Sequence, residues 1–312
     1  MTSKVAVLPA LGIGDALLMM IASHQLHLAG CDVTTFHNAL PELSSWFPGH
    51  RFAPLPSRDA WIETLSHFDK ILIENDNSPA LSLLRSAFDN PSGPKLSIFY
   101  PSYSPSKHPP LSPYDQAFSP HISMADNIES ALSNLLSIPT TKDNGIQAPL
   151  HLTHRLHANR VIIHPTSRVK QKNWLPERFV ALAQKLQKKG LIPYFCVSPS
   201  ERHHWLWVEK KGFLLPSLPT LSSLAELIYE SGYVIGNDSL AGHLASNLHI
   251  PTLILADDPK RMRLWQPGWL PGKCIFPPSW IPNLKGFRWR EKKWQHFITV
   301  RAALKAFEKI VA

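Results

Sequence analysis

Two glycines and an aspartate stand together in the stretch LGIGDALLMM, where an apolar run gives way to a helical pattern. In α/β proteins, a turn from strand to helix binds phosphate through backbone N–H groups or presents one reactive side chain. Gly12 and Gly14 permit a tight turn and a close backbone approach, which predicts substrate contacts at both. Asp15 is predicted at the helix N-terminus, where its carboxylate can act as a general base or can simply cap the helix.

This stretch departs from the fingerprint of nicotinamide-dependent dehydrogenases. That fingerprint requires a third glycine three places after Gly14, and Leu17 stands there. It also requires an acidic residue near the end of the second strand, where this sequence has His37 and Asn38. The sequence therefore disfavours a dehydrogenase.

A second group of polar residues follows a predicted strand that ends at His164, in the stretch IIHPTSRVKQKNWLPERF. Its hydroxyl and cationic members are Thr166, Ser167, Arg168, Lys170 and Lys172. Hydroxyl donors and compensating cations at the carboxyl end of a strand are what a diphosphate requires. We therefore predict an anion site here; the alternative is a solvated basic loop.

A third group lies in the stretch VIGNDSLAGHLASNLHIPTLIL. Asn237 and Asp238 end a predicted buried strand, and Ser239 begins a helix whose first backbone N–H groups can bind an anion. His243 follows Ser239 by four residues and so shares its helix face. We predict that His243 contacts the same ligand, and the alternative is that it only packs in the core.

Apolar runs alternate with amphipathic ones along the whole chain, which predicts parallel β-sheets covered by helices. The predicted strands are KVAVLP, DVTTF, KILIE and KLSIFY, and then RVIIHP, LIPYFCV, FLLPSL, YVIGND and PTLILA. The predicted helices cover 15–29, 61–68, 79–88, 124–138, 176–189 and 239–248, with others starting at Glu201 and Ser222 and one at the C-terminus. A proline-rich loop spans Pro101 to Pro120, and Pro139 to Pro149 has the residues of an interdomain linker. Two consecutive Rossmann-like domains with a cleft between them are expected.

The composition indicates a globular protein with an anionic partner. The chain has 312 residues, a net charge of +9 and three scattered cysteines, which favours a reducing cytoplasm over a disulfide framework. No run reaches the roughly 20 apolar residues of a membrane span. No recognised nucleic-acid-binding module is present, so nucleic acid is not expected as a partner.

Together, the three stretches resemble glycosyltransferase family 9, the ADP-heptose:lipopolysaccharide heptosyltransferases, in order and spacing over nearly the whole chain. The resemblance implies an α/β GT-B fold, in which two Rossmann-like domains face each other across a cleft. Asp15 matches the aspartate of the family's Leu-Gly-Asp motif, which is the proposed catalytic base. The positions that the resemblance implies for donor binding are Thr166, Ser167, Lys172, Glu201, Asp238, Ser239 and His243.

The implied domains are an acceptor domain, 1–145, and a nucleotide-sugar donor domain, 146–312, whose terminal helix can pack back on the first. The implied reaction is an inverting transfer of a heptose or related sugar from an ADP-sugar to a lipopolysaccharide-core-type or other glycan. No cofactor and no metal are expected. Asp15 has no obvious catalytic carboxylate beside it, and the adjacent pair Asp257 and Asp258 is interpreted as a turn or surface pairing.

Two departures from the family pattern bear on the substrates. Leu240 stands where the family often has a glycine that lets the backbone approach the donor, and the sequence leaves open whether Leu240 changes the donor pose. Met19 and Met20 stand where threonines are common, which, with the proline-rich loop, predicts an acceptor other than Kdo or heptose. A transferase with another nucleotide sugar and a non-catalytic paralogue that binds nucleotide or glycan remain as alternatives.

The basic segment KGFRWREKKWQHF, Lys285 to Phe297, mixes four aromatic residues with five cations. Such a segment can lie on an anionic bilayer, with the aromatic rings at the level of the headgroups. The alternative is that its aromatic residues belong to the core. A third interpretation, in which the aromatic rings stack on the bases of a nucleic acid, competes with the bilayer. We predict a cytoplasmic enzyme acting on a glycolipid or glycan acceptor, with peripheral binding to the inner face of the inner membrane as a secondary hypothesis.

Overall fold

The protein forms two compact units, Met1–Gln147 and Ala148–Ala312. The computed structural model describes residues 2–77, 80–88, 93–270, 272–283 and 288–311. Each unit holds one sheet, and all the strand pairs described in both sheets are parallel. The predicted α/β class with two Rossmann-like units is confirmed.

The first unit is built on a six-stranded sheet of order β3-β2-β1-β4-β5-β6. Its strands are β1 Lys4–Leu8, β2 Asp32–Phe36, β3 Arg51–Ala53, β4 Lys70–Glu74, β5 Lys95–Tyr100 and β6 Gln116–Ala117. Its helices are α1 Ile13–Leu28, α2 Trp61–Ser66, α3 Ala80–Phe88 and α4 Met124–Leu136, with 3-10 turns at Leu40–Trp46 and Arg58–Ala60. The strand order reverses between β1 and β4, and ligands bind outside the carboxyl ends of such strand pairs.

Helix α1 is a core element. Its residues from Ala16 to Ser23 are all fully buried, because the helix packs between the sheet and α4. Met19 and Met20 are each 0% exposed. These two methionines fill the core, so the sequence argument that linked them to an unusual acceptor does not hold.

The segment predicted as an interdomain linker is bound to the first unit for most of its length. Gln25 of α1 donates to the hydroxyl of Thr141 and to the carbonyl of Asp143 at 3.1 and 3.0 Å. The buried amide of Asn144 donates to the carbonyl of Leu17 at 3.1 Å. These bonds fix 141–144 against α1, and the boundary between the units falls after Gln147.

The second unit is built on a five-stranded sheet of order β11-β10-β9-β7-β8. Its strands are β7 His157–His164, β8 Ile192–Phe195, β9 Ser231–Asn237, β10 Thr252–Leu255 and β11 Lys273–Ile275. Its helices are α5 Pro176–Gln187, α6 Arg202–Trp205, α7 Leu221–Tyr229, α8 Leu240–Asn247, α9 Pro259–Trp265, α10 Trp289–Lys292, α11 Trp294–Phe297 and α12 Val300–Val311, with 3-10 turns at Lys170–Lys172 and Leu206–Lys211. The order reverses between β7 and β9, so a second crevice lies at their carboxyl ends.

One predicted strand of this unit does not form. The run FLLPSL makes only an isolated bridge, between Leu214 and Tyr194. Pro216 lies two residues after Leu214, within the same run, and has no N–H to donate to a sheet ladder, which explains why the pairing stops there.

The terminal helix α12 packs on α5, β10 and β11 of its own unit. Its contact with the first unit stays a prediction.

Part of the basic segment before α12, residues 285–287, lies outside the described residues. Trp294 is 1% exposed and donates its indole N–H to the carbonyl of Gln171 at 2.8 Å, whereas Trp289 is 53% exposed. Trp294 is therefore a core residue, and bilayer contact by the rest of the segment stays a prediction.

Candidate functional site

Asp15 follows the turn between β1 and α1, at the carboxyl edge of the first sheet. It is the third residue of α1, and Gly12 occupies the N-cap position, so Asp15 is not the cap. A side chain at Gly12 would collide with the Asp15 carboxylate, which folds back over the glycine. Gly14 is the second residue of α1 and is half-buried. Glycine at position 12 therefore makes room for the carboxylate, and substrate contact by Gly12 and Gly14 stays a prediction.

A second carboxylate, which sequence reasoning missed, belongs to Glu74 at the end of β4. Its side chain is buried, and Oε2 accepts the N–H of Ala10 at 3.0 Å. Burial and the negative charge of Asp15 raise the pKa of Glu74 to about 8, and Asp76 adds to the shift. A second carboxyl group therefore lies close enough to Asp15 to respond to its charge, and at neutral pH the Glu74 carboxyl is mostly protonated.

In the second unit, the hydroxyl pair after β7 is held by hydrogen bonds within the unit. Thr166 is buried and donates to Oε2 of Glu201 at 3.1 Å. The same oxygen accepts the Ser198 hydroxyl at 2.6 Å, so Glu201 ties the loop after β8 to the loop after β7. Ser167 donates to Asn173 Oδ1 at 2.7 Å. The structure thus brings Thr166 and Glu201 together, and donor contact by either residue stays a prediction.

Asp238, which follows β9, is the centre of an ion-pair network. Its carboxylate accepts from Lys172 Nζ at 2.9 Å and from Arg261 Nη2 at 3.3 Å, and its side chain is 9% exposed. Arg261 also pairs with Asp257 at 2.8 Å. Lys172 and Arg261 remain about 30% exposed, so both can still contact a ligand. Sequence reasoning predicted Lys172 and Asp238 and missed Arg261, which the fold brings in from α9.

The first turn of α8 adds backbone donors next to this network. Ser239 is its N-cap residue, and the Ser239 hydroxyl lies 3.3 Å from Nδ1 of His164 at the end of β7. The first N–H groups of a helix have no partner within the helix and favour an anion. Leu240, the first residue of α8, is half-buried.

His243 lies one turn deeper in α8 and is 6% exposed. Burial lowers the pKa of His243, the nearby Asp238 partly offsets this, and Lys172 lowers the pKa further. Among the described residues, Nδ1 of His243 and Nε of Arg261 are buried without a hydrogen-bond partner. Buried polar atoms are nearly always hydrogen-bonded, so two orphaned nitrogens beside Asp238 indicate a place for a ligand.

Asn237 holds the two sides of this crevice together. It is 0% exposed, accepts the N–H of Trp174 at 2.9 Å and donates to the carbonyl of Pro165 at 2.7 Å. A side chain at Gly236 would press on the carbonyl of His164, so glycine is needed for β7 and β9 to approach. These contacts set the spacing between the loop after β7 and the start of α8.

Replacing Asn237 with alanine is expected to destabilise the protein by about 2 to 4 kcal/mol, because two buried backbone groups lose their partners. Chemical denaturation of the full chain measures the change. Asn38→Ala is the control, since Asn38 makes one exposed hydrogen bond with Leu55 and should cost about 1 kcal/mol or less. Equal stability of the two variants would contradict the role of Asn237.

The first unit also has a pocket of about 330 Å³ beside the proline-rich loop. Its polar lining includes Asn75, Asn77, Arg85, Tyr100, Lys107 and His108. The charge of Arg85 is offset by an ion pair with Asp115, whose side chain is 1% exposed. Amides, a phenol and an imidazole around apolar walls suit the hydroxyl groups and ring faces of a sugar.

Two further observations concern membranes and metals. Within the described ranges, none of the helices combines the length and the apolar character that crossing a bilayer requires. Nor do the described His, Cys, Asp and Glu side chains form a cluster of three or more that could hold a metal ion. Asp258 caps α9 by accepting the N–H of Lys260 at 2.8 Å, and Asp257 pairs with Arg261, as the turn-and-pairing interpretation expected.

A family model, glycosyltransferase family 9 (heptosyltransferase), matches residues 127–268. All seven positions predicted to bind the donor fall inside this segment, whereas Asp15 precedes it. The match confirms the resemblance found in the sequence. No curated protein matches the chain in a sequence search.

Three solved structures show the same fold. ADP-heptose lps heptosyltransferase II of E. coli is 13% identical, with a TM-score of 0.71, and the match covers 99% of this chain and 98% of that one. The glycosyltransferase family 9 protein of Veillonella parvula is 16% identical, with a TM-score of 0.73 and coverage of 99% and 97%. The E. coli heptosyltransferase WaaC with ADP-2-deoxy-2-fluoro heptose is 15% identical, with a TM-score of 0.71 and coverage of 99% and 100%. These matches confirm the predicted GT-B fold.

Proposed function

Because residues 127–268 match the model of glycosyltransferase family 9, we propose that the chain is an inverting transferase that moves a heptose or related sugar from an ADP-sugar to a glycan acceptor. One observation carries this proposal. Lys172, Arg261 and the start of α8 surround Asp238, next to two orphaned buried nitrogens. Such a set of donors and cations binds a nucleoside diphosphate.

In the proposed reaction, Asp15 takes the proton from an acceptor hydroxyl. The acceptor oxygen attacks the anomeric carbon of the donor, the bond from that carbon to the diphosphate oxygen breaks, and the electron pair leaves with the nucleoside diphosphate. Lys172, Arg261 and the dipole of α8 stabilise the charge that develops on this leaving group. Glu74 is mostly protonated at neutral pH, so the negative charge of the two carboxyl groups lies on Asp15. Asp15 must be ionised to accept a proton as the base.

The remaining predicted positions receive supporting roles in this proposal. Thr166, Ser167 and Ser239 present hydroxyl groups to the donor, and Glu201 fixes the loop that carries Thr166. His243 contacts the donor through its orphaned Nδ1. The pocket beside the proline-rich loop, in the first unit, receives part of a glycan or glycolipid acceptor.

Calorimetric titration of the wild-type chain with ADP-heptose tests the donor, with UDP- and GDP-sugars as controls. Selective binding of ADP-heptose is the expected result, since the family segment covers the whole proposed donor site. Binding of another nucleotide sugar instead would keep the transferase and replace the donor. Absence of binding across the panel would favour a non-catalytic paralogue.

A further inference from the structure

The turn that carries Asp15 is held by side chains from the strands on both sides of β1. From β4, Glu74 accepts the N–H of Ala10 at 3.0 Å. From the end of β2, the His37 ring lies against the carbonyl of Leu11. Ala10 is therefore hydrogen-bonded by a side chain from one neighbouring strand, and Leu11 is contacted by a side chain from the other.

The tautomer of His37 follows from its other contacts. Nδ1 accepts the backbone N–H groups of Ala39 and Leu40, at 3.2 and 3.3 Å. Burial lowers the pKa of His37, so the ring is neutral near pH 7 and carries its one proton on Nε2. The Nε2–H group is then the one that the ring can offer to the carbonyl of Leu11.

Both side chains are nearly inaccessible, with exposures of 2% for Glu74 and 3% for His37. A carboxyl group and an imidazole in a sheet core cost free energy, which apolar residues of similar size would avoid. Each of them makes its contact with the same short turn, which continues through Gly12 into α1 and Asp15. A purely structural core would not require two polar side chains at this place.

We propose that Glu74 and His37 are positioning residues that hold the turn at Ala10 and Leu11 and thereby orient the Asp15 carboxylate. The inference rests on the proposed function of Asp15 as the base. It deepens that function, because it assigns roles to two residues outside the family motifs quoted from the sequence.

The charge of Glu74 couples this positioning to pH. The charged groups that act on it are Asp15 of α1 and Asp76, two residues beyond β4. With its pKa raised to about 8, Glu74 accepts the N–H of Ala10 as an uncharged carboxyl group at neutral pH. Above that pH it ionises, and a second negative charge beside Asp15 then repels an anionic substrate.

Two replacements of Glu74 separate positioning from packing. Glutamine keeps an uncharged oxygen for the N–H of Ala10 at every pH, whereas alanine removes it. Steady-state kinetics should give Glu74→Gln a kcat within about threefold of wild type near pH 7, and no break in its pH profile near pH 8. Glu74→Ala should lose about tenfold in kcat with the donor KM unchanged, less than the roughly 100-fold cost of a 1 Å misplacement. His37→Phe, which keeps a ring but no donor, should resemble Glu74→Ala.

The outcomes that would overturn the inference are specific. Wild-type kcat in a folded Glu74→Ala variant would remove the positioning role, and equal loss in the glutamine and alanine variants would remove the account based on an uncharged acceptor.

If the wild type transfers no sugar, the proposed function fails, and two readouts without turnover decide the inference. Protection of the Ala10 amide from hydrogen exchange should persist in Glu74→Gln and be lost in Glu74→Ala. In the wild type, the carboxyl ¹³C signal of Asp15 should show a step near pH 8, where Glu74 ionises, and Glu74→Gln should lack that step. A wild-type signal without the step would overturn the coupling.

Discussion

Replacing Asp15 with asparagine is expected to lower kcat by about 10²- to 10⁴-fold, which is the usual contribution of a general base. Asparagine has nearly the same shape, so it fits over Gly12 as the carboxylate does, but it cannot take a proton from the acceptor. Donor affinity should stay near the wild-type value, because the proposed donor contacts come from the second unit. Initial rates over a range of donor and acceptor concentrations give kcat and both KM values.

Asp69→Asn is the matched control for this variant. Asp69 precedes β4 and accepts the N–H of Lys4, the first residue of β1. It therefore lies at the amino ends of these strands, away from Asp15 at their carboxyl ends. Its replacement makes the same chemical change in the same unit, and its kcat should stay within about twofold of wild type. A kcat for Asp15→Asn equal to that of the control would show that Asp15 is not the base.

Replacing Lys172 with methionine is expected to weaken donor binding by about 10- to 100-fold, the range for losing a hydrogen bond to a charged group. Methionine keeps a stem of similar length and removes the cation. Asp238 pairs with both Lys172 and Arg261 in the structure. In the variant its carboxylate keeps only Arg261, so Asp238 repels the diphosphate more strongly. Calorimetry with the selected nucleotide sugar measures the loss.

Lys189→Met is the matched control for Lys172→Met. Lys189 pairs with Glu308 at 2.7 Å on the surface of the same unit, where both partners are almost half exposed. Exposed pairs contribute little, so this variant should bind the donor as the wild type does. If both lysine variants bind equally well, Lys172 is not a donor contact, whereas Asp15→Asn still tests the base independently.

Much of the candidate site could be predicted because its signals are local. Asp15, Ser239 and His243 lie where an apolar run passes into a helical pattern, and a strand followed by a helix places such residues at the carboxyl edge of a sheet. Spacing within one helix is also local, so the position of His243 one turn below Ser239 is correct. The alternation of strands and helices likewise predicted both Rossmann-like units.

The residues that were missed come from pairings between distant parts of the chain. Glu74 lies near Asp15 because β4 pairs with β1 across more than 60 positions, with Leu8 opposite Ile73. Arg261 reaches Asp238 because β10 lies beside β9 and α9 then returns over the carboxyl edge. In the sequence, Arg261 belongs to a basic run that resembles a solvated surface.

By itself, the sequence determined the α/β class, the two units, the helix starts and the candidate base, since each of these depends on residues within about one helix length. The tertiary structure decided which side chains are buried and which of them meet. It placed Met19 and Met20 in the core and brought Glu74 and His37 against the turn at Ala10 and Leu11. Burial and strand order depend on the whole sheet, and the charge state of Glu74 depends on both, so a local pattern cannot reveal them.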